Sequence, residues 1–133
     1  MKKLLLIALL LIGVGVGVGL YLFNKKVPSL ENTEAAYTLT ADQLFNEFEA
    51  DESAAQTKYV DQVLEVSGTI ARTKSTDSIS SIVLIAKNAM MGGVNCSFNG
   101  PITDFADGTQ IVIKGRCQGY LMDVVLNNCV IVE

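Results

Sequence analysis

Val63-Leu64-Glu65-Val66-Ser67-Gly68-Thr69-Ile70 decides the fold class. Leu64, Val66, Gly68 and Ile70 alternate with Glu65, Ser67 and Thr69, the period of two that sends successive side chains to opposite faces of a strand. Gly68 in mid-strand marks a bulge or a sharp coil. Toward the C-terminus the same pattern returns four times. Ile79 to Ala86 reads as a second strand, with Val83 to Ile85 apolar on both faces. In the third, Val94, Cys96 and Phe98 alternate with Asn95 and Ser97. In the fourth, Ile111, Ile113, Gly115 and Cys117 alternate with Lys114 and Arg116. Val124 to Val132 is the fifth, interrupted by Asn127 and Asn128. Between the third and fourth, Pro101 to Asp107 is long enough for one helical turn, with Ile102 and Phe105 turned inward and Gly108 ending it.

Upstream the period is helical. Thr40 and Gln43 have the spacing of a capping box, and Leu39 and Leu44 that of a hydrophobic staple. Leu44, Phe45 and Phe48 share one face, so this helix packs against something. Ala54, Ala55 and Tyr59 continue it after a break near Asp51. The chain thus reads as mainly β: a five-stranded OB-fold-like Greek-key barrel, with an N-terminal helix and a short helix between strands 3 and 4. An immunoglobulin-like sandwich needs about seven strands, more than the pattern holds.

Ahead of the domain, Leu4 to Phe23 is a run of 20 residues without a charge. As a helix it reaches about 30 Å, the thickness of a bilayer's hydrocarbon core, so it reads as a transmembrane helix. Lys2 and Lys3 precede it, and Lys25 and Lys26 follow. A cleaved signal sequence is the alternative, in which the chain is secreted; signal h-regions are shorter, about 7–15 residues. Gly13/Gly17 and Gly15/Gly19 are small-xxx-small pairs of the kind that lets membrane helices approach, although glycine is common in spans anyway. No Cys precedes Cys96 to carry a lipid anchor. Residues 1–26 are read as the anchor with its basic flanks, 27–39 as a polar stem and 40–133 as the OB-like domain. The short basic tail before the helix places the domain outside the cytoplasm.

Charge is split. Four of the ten basic residues flank the anchor and all 14 acidic ones follow Lys26, so residues 27–133 carry a net charge of −8. That sign repels phosphate backbones and disfavours nucleic acid as a partner. The chain has no His, which removes Ser-His-Asp and Cys-His activation in their usual forms; no catalytic residue, cofactor or metal is expected. Cys96, Cys117 and Cys129 with Asp123 could offer metal ligands, but no C-x-x-C spacing supports it. A disulfide is the more natural use in an exported domain. If the last hairpin turns about Asp123, Cys117 faces Cys129; if it turns near Tyr120, Cys96 becomes the better partner for Cys129. Met90-Met91-Gly92-Gly93 is a loop whose soft side chains suit packing on the barrel end before metal recruitment. OB folds bind through the face of strands 2 and 3 and the loops between strands 1–2 and 4–5. Those regions offer Arg72, Lys74, Lys87, Phe98, Tyr120 and Met122 as a candidate face, with Phe98 in phase with the inward Val94 and Cys96.

Several pieces together carry a family resemblance: Leu44-Phe45, Lys58-Tyr59, Val66-Ser67-Gly68, Val94-Asn95-Cys96-Ser97-Phe98, Ile113-Lys114-Gly115-Arg116-Cys117, and Asp123 through Cys129. Over roughly the final 90 residues the chain resembles the tRNA-anticodon-binding-like OB-fold family of short bacterial envelope proteins. The resemblance implies the barrel and a membrane or lipid anchor, and no catalytic residue. The expectation is a non-catalytic, membrane-anchored binding module whose partner is an envelope protein, peptide or glycan, with a nucleic-acid-binding OB domain as the alternative.

Overall fold

The computed structural model describes residues 1–25, 28–90 and 92–132. Lys26 of the basic flank, Val27 at the start of the stem, and Met91 of the methionine loop lie outside the described residues, as does Glu133. Helix α1 (Lys2–Asn24) is unbroken, exposed along its whole length, and has a mean hydropathy of 2.6. An apolar helix with no face covered by protein is the form a membrane span takes, because all its backbone polar groups are satisfied within the segment.

The domain runs β1 (Tyr37–Thr40), α2 (Ala41–Ala50), α3 (Glu52–Tyr59), β2 (Val63–Ser75), β3 (Ile79–Ile85), β4 (Gly93–Asn99), β5 (Gln110–Leu121) and β6 (Asp123–Ile131). The strands lie in the order β1-β2-β3-β4-β6-β5, and β2 also pairs with β5, which closes β2 to β6 into a barrel. One long strand makes the closure possible. The first half of β2 pairs antiparallel with β5 from Val63↔Arg116 to Thr69↔Gln110; the second half pairs with β3 from Ile70↔Leu84 to Ser75↔Ser80. A bulge at Ala71 separates the two halves. Such an extra residue bends and twists the strand. At Gly68 a Cβ would stand 3.1 Å from Ala41 Cβ and 3.3 Å from Leu84 Cβ, so the missing side chain lets α2 settle on the barrel.

Inside, the ladders stack apolar tiers. Ile70, Leu84, Val94 and Val124 form one, and Ile82, Cys96, Leu126 and Cys117 the next. All eight are fully buried. Helix α2 covers one end of the barrel with Leu44, Phe45 and Phe48, each worth about 2 kcal/mol of apolar burial. Its start is the expected capping box: Gln43 N–H donates to Thr40 Oγ1 at 3.2 Å, and Thr40 N–H to Gln43 Oε1 at 3.0 Å. Asp51 ends α2 and caps α3, accepting from Ala54 N–H at 3.1 Å.

The expected helix between the third and fourth barrel strands is not there. Residues 101–106 have no regular structure, followed by a turn at Asp107-Gly108. The helical segments of the domain, α2 and α3, lie instead between β1 and β2. The reason is competition for backbone bonds. Gly108 N–H donates to Ile70 O at 2.7 Å, Ile70 N–H to Thr109 O at 2.9 Å and Ile102 N–H to Ser75 Oγ at 3.4 Å, so the loop is tied to β2 at both ends, and its own backbone bond is the turn from Thr109 N–H to Ala106 O at 3.2 Å. A lone helical turn fixes several residues for one hydrogen bond and loses that contest. The short parallel strand β1 was also not expected from the pattern; it pairs from Tyr37↔Leu64 to Thr40↔Ser67. Before it, Leu30 is buried at 4% exposure, and Asn128 Nδ2 donates to Pro28 O at 2.8 Å. The segment ahead of the helices is therefore packed onto the barrel.

A polar cluster ties α2 to α3. Tyr59 Oη donates to Glu47 Oε2 at 2.7 Å, and Lys58 Nζ reaches the same oxygen at 3.1 Å while lying 4.7 Å from the Tyr59 ring centroid. The Tyr59 hydrogen bond, helped by Lys58 and opposed by desolvation, holds the Glu47 carboxyl below its ordinary value of 4.5. A depressed carboxyl contributes stability that is present above the unfolded pKa and lost as pH falls through the folded one. Glu47→Gln should therefore lower the melting temperature of the detergent-solubilised chain at pH 7, and the gap to wild type should narrow as pH falls below the ordinary carboxylate value. Gly93 supplies a second test. A Cβ there would collide with the backbone oxygen of Leu84, which cannot move without breaking the β3–β4 ladder. Gly93→Ala should cost about 1–3 kcal/mol in urea unfolding, more than Gly100→Ala, where a Cβ meets open space and only the positive φ of 97° is strained.

Candidate binding face

The outward positions of five strands line up into two rows. Register sets Arg72 beside Val83, Val83 beside Asn95, and Asn95 beside Val125. Two residues along, Lys74 stands beside Ser81 and Ser81 beside Ser97, while on the far side Asn127 stands beside Arg116. Ser97 and Asn127 meet in one cleft of about 620 Å³, whose wall includes Asn99, Arg116, Gln118 and Asn128 and is completed by Pro28 and Leu30. Cations stand at both ends of the second row, with hydroxyls and an amide between them. No Asp or Glu occupies either row.

Hydrogen bonds fix part of this surface. Arg116 Nη1 donates to Asp61 O at 2.8 Å, and Asn99 Nδ2 to Asn128 Oδ1 at 3.0 Å. Asn128 has a left-handed backbone, φ 52°, which turns its amide sideways to bridge Asn99 and Pro28. Asn95 Oδ1 is shielded from solvent and has no hydrogen-bond partner among the described residues.

The six residues expected to form the face separate into groups. Arg72 and Lys74 are exposed on β2 and belong to the two rows. Met122 is 68% exposed at the tip of the β5–β6 hairpin and shares a groove of about 550 Å³ with Arg72, Val83 and Leu121. Lys87 lies in the β3–β4 loop, where its N–H donates to Asp42 Oδ1 at 2.6 Å; it lines a different groove, with Ser67 and Gln110. Phe98 points into the barrel at 4% exposure, and its ring edge reaches the floor of the larger cleft. Tyr120 lies under α2, stacked on Phe48 at 5.8 Å and edge-on to Phe45 at 5.8 Å. Ser81, Ser97, Asn127 and Arg116 were not among the six. Their signal is the polar half of each alternating strand, which becomes a surface only once the register is known.

The thiols are also rearranged relative to expectation. The last hairpin turns about Met122, φ 66°, and two bulges shift the ladder, so Cys117 stands opposite Leu126 and does not face Cys129. All three cysteines are buried and free. Burial pushes the Cys117 thiol up to about 11, against a lowering hydrogen bond from the Gly119 backbone. Among the described residues no three His, Cys, Asp or Glu side chains are placed to hold a metal ion.

A closed five-stranded Greek-key barrel with an open, polar outer face on β3 and β4, carried behind an apolar helix, defines an OB-fold binding module on a membrane anchor. The model of the tRNA_anti-like family matches residues 1–131, and the chain belongs to that family. No curated protein matches it. Among solved structures it is similar to a lipoprotein from Klebsiella pneumoniae subsp. pneumoniae that is described, provisionally, as nucleic acid-binding. That likeness has a TM-score of 0.56 at 14% identity and covers 72% of this chain and 91% of the other. A chain from the yeast Stn1 and Ten1 structure is similar at a TM-score of 0.46 and 12% identity, covering 79% of this chain and 66% of the other. At these identities the likeness is one of fold. Helix α1 is long and apolar enough to cross a membrane.

The exclusion of nucleic acid drawn from the net charge of −8 does not stand. A sum over the domain says nothing of where the charges are. Among the described residues the carboxylates lie on α2, α3, the loops, the opposite half of β2 and the first position of β6, where Asp123 lines the groove beside Arg72 and accepts from Gly93 N–H at 2.8 Å; the two rows themselves hold Arg72, Lys74 and Arg116 without one. The same fold also occurs in a protein described as nucleic acid-binding. The division between core and surface is open to test. Phe98→Ala should cost about 3 kcal/mol in urea unfolding as a large-to-small core substitution, whereas Lys74→Ala should stay within about 0.5 kcal/mol.

Proposed function

We propose that the protein is a membrane-anchored module that binds single-stranded nucleic acid across the outer face of β2, β3, β4, β6 and β5. The observation that carries this reading is the pair of carboxylate-free rows, with Arg72 and Lys74 at one edge and Arg116 at the other. Four strand spacings separate the edges, about 19 Å around the curved sheet. Phosphates would meet the cations, while Ser81, Ser97 and Asn127 would face sugar and base edges. The Klebsiella pneumoniae protein described as nucleic acid-binding shares the barrel and supports the reading.

The face also sets the strength. Neither row holds an aromatic side chain, so base stacking, worth about 1–3 kcal/mol per base, is missing. Binding then rests on three phosphate contacts and falls in the non-specific range, roughly 10⁻⁴–10⁻⁶ M at physiological salt. Three contacts to a single strand give a slope of about −2 in log K against log salt. Anisotropy titration of the full chain in lipid nanodiscs, with labelled mixed-sequence oligonucleotides of DNA and RNA, measures both. The expected result is weak binding with that slope, lost in the Arg72→Ala, Lys74→Ala, Arg116→Ala triple variant. No binding at 20 mM salt, or binding that the triple variant retains, would overturn the proposal.

A further inference from the structure

We propose that Cys96 and Cys129 form a disulfide that staples β4 to β6 inside the barrel. This goes beyond the binding function and is independent of it. The two strands are parallel neighbours, with Cys96 in register with Leu126. Cys129 follows three residues later, but β6 does not advance regularly. The β5–β6 ladder steps from Arg116↔Asn127 to Lys114↔Val130, so Gly115 faces the extra length at Asn128 and Cys129. The left-handed Asn128 turns its amide to the surface and rotates Cys129 inward, to 5% exposure.

Gly115 leaves room for the thiol. A Cβ at that position would lie 2.5 Å from Cys129 Sγ. Inside the barrel the Cys129 thiol faces that of Cys96, which is fully buried. The Cys129 thiol beside it, and then burial, push the Cys96 thiol well above the usual range. Both thiols are enclosed in the folded barrel, out of reach of an oxidant, so the bond forms while the strands are still assembling.

The chemistry balances as thiol–disulfide exchange with an envelope oxidant that carries a reactive disulfide. One cysteine thiolate attacks the oxidant's disulfide and releases one oxidant thiolate. The second cysteine attacks the mixed disulfide and releases the other. The chain loses two protons and two electrons, and the oxidant leaves as a dithiol. An exported domain is in the compartment where such bonds form and persist.

The test is peptide mapping of the full chain from membranes, acid-quenched, denatured and alkylated without reductant. The expected result is a Cys96–Cys129 crosslinked peptide, two hydrogens lighter than its reduced parts, with Cys117 alkylated. A Cys117→Ser variant should keep the crosslink, and Cys129→Ser should leave Cys96 alkylated. A crosslink that contains Cys117, or alkylation of all three cysteines in the wild-type chain, would overturn the proposal.

Discussion

Everything in the domain hangs on the two-sided pairing of β2. Its first seven residues bond to β5 and its last six to β3, and no other strand changes partner in that way. If β2 ran straight, the sheet would stay open, Leu64 and Val66 would face water, and β5 would be an unpaired edge. The bulge at Ala71 and the bare Cα of Gly68 supply the bend, and the apolar tiers supply the reason to keep it. Helices α2 and α3 depend on this arrangement in turn. Neither is long enough to persist alone in water, and each is held by the aromatic and aliphatic side chains it presses onto the closed barrel.

Closure also explains which parts of the molecule were legible in advance. Alternation marks inside and outside for each strand separately, and so β2 to β6 and the capping box at Thr40 could be read from the chain. Register is a relation between strands. Whether Cys117 meets Leu126 or Cys129 depends on one left-handed residue at Met122 and on bulges that no periodicity records. The same limit hid the polar rows. Ser97 and Asn127 are unremarkable in their own strands and become neighbours in a cleft only through the parallel β4–β6 pairing. Residues 101–106 show the converse: helical spacing of Ile102 and Phe105 was overruled by bonds that tie the loop to β2, from Ile102 N–H to Ser75 Oγ and from Gly108 N–H to Ile70 O.

Electrostatics follows the same logic of placement over total. A barrel of net charge −8 repels a distant polyanion, yet at contact range the local field is set by what lies within about a Debye length, roughly 8 Å at physiological salt. Placing most carboxylates on the helical cap and loops leaves the two rows free to carry the opposite sign. The whole-molecule charge still bears on the approach of a polyanion: association would be slower than with a basic domain, and encounters away from the rows would be repelled.

Pro28 and Leu30, which join the anchor to the domain, also build one wall of the larger cleft. A pull transmitted along the chain from the membrane therefore arrives first at Pro28. It is carried across the Asn128 amide into β6, and on to Asn99 of β4. The load enters the barrel as shear between two strands beside the cleft, not as peeling at a free terminus. Tether and cleft are thus mechanically in series, and tension on the linker would act on the same residues as an occupant of the cleft.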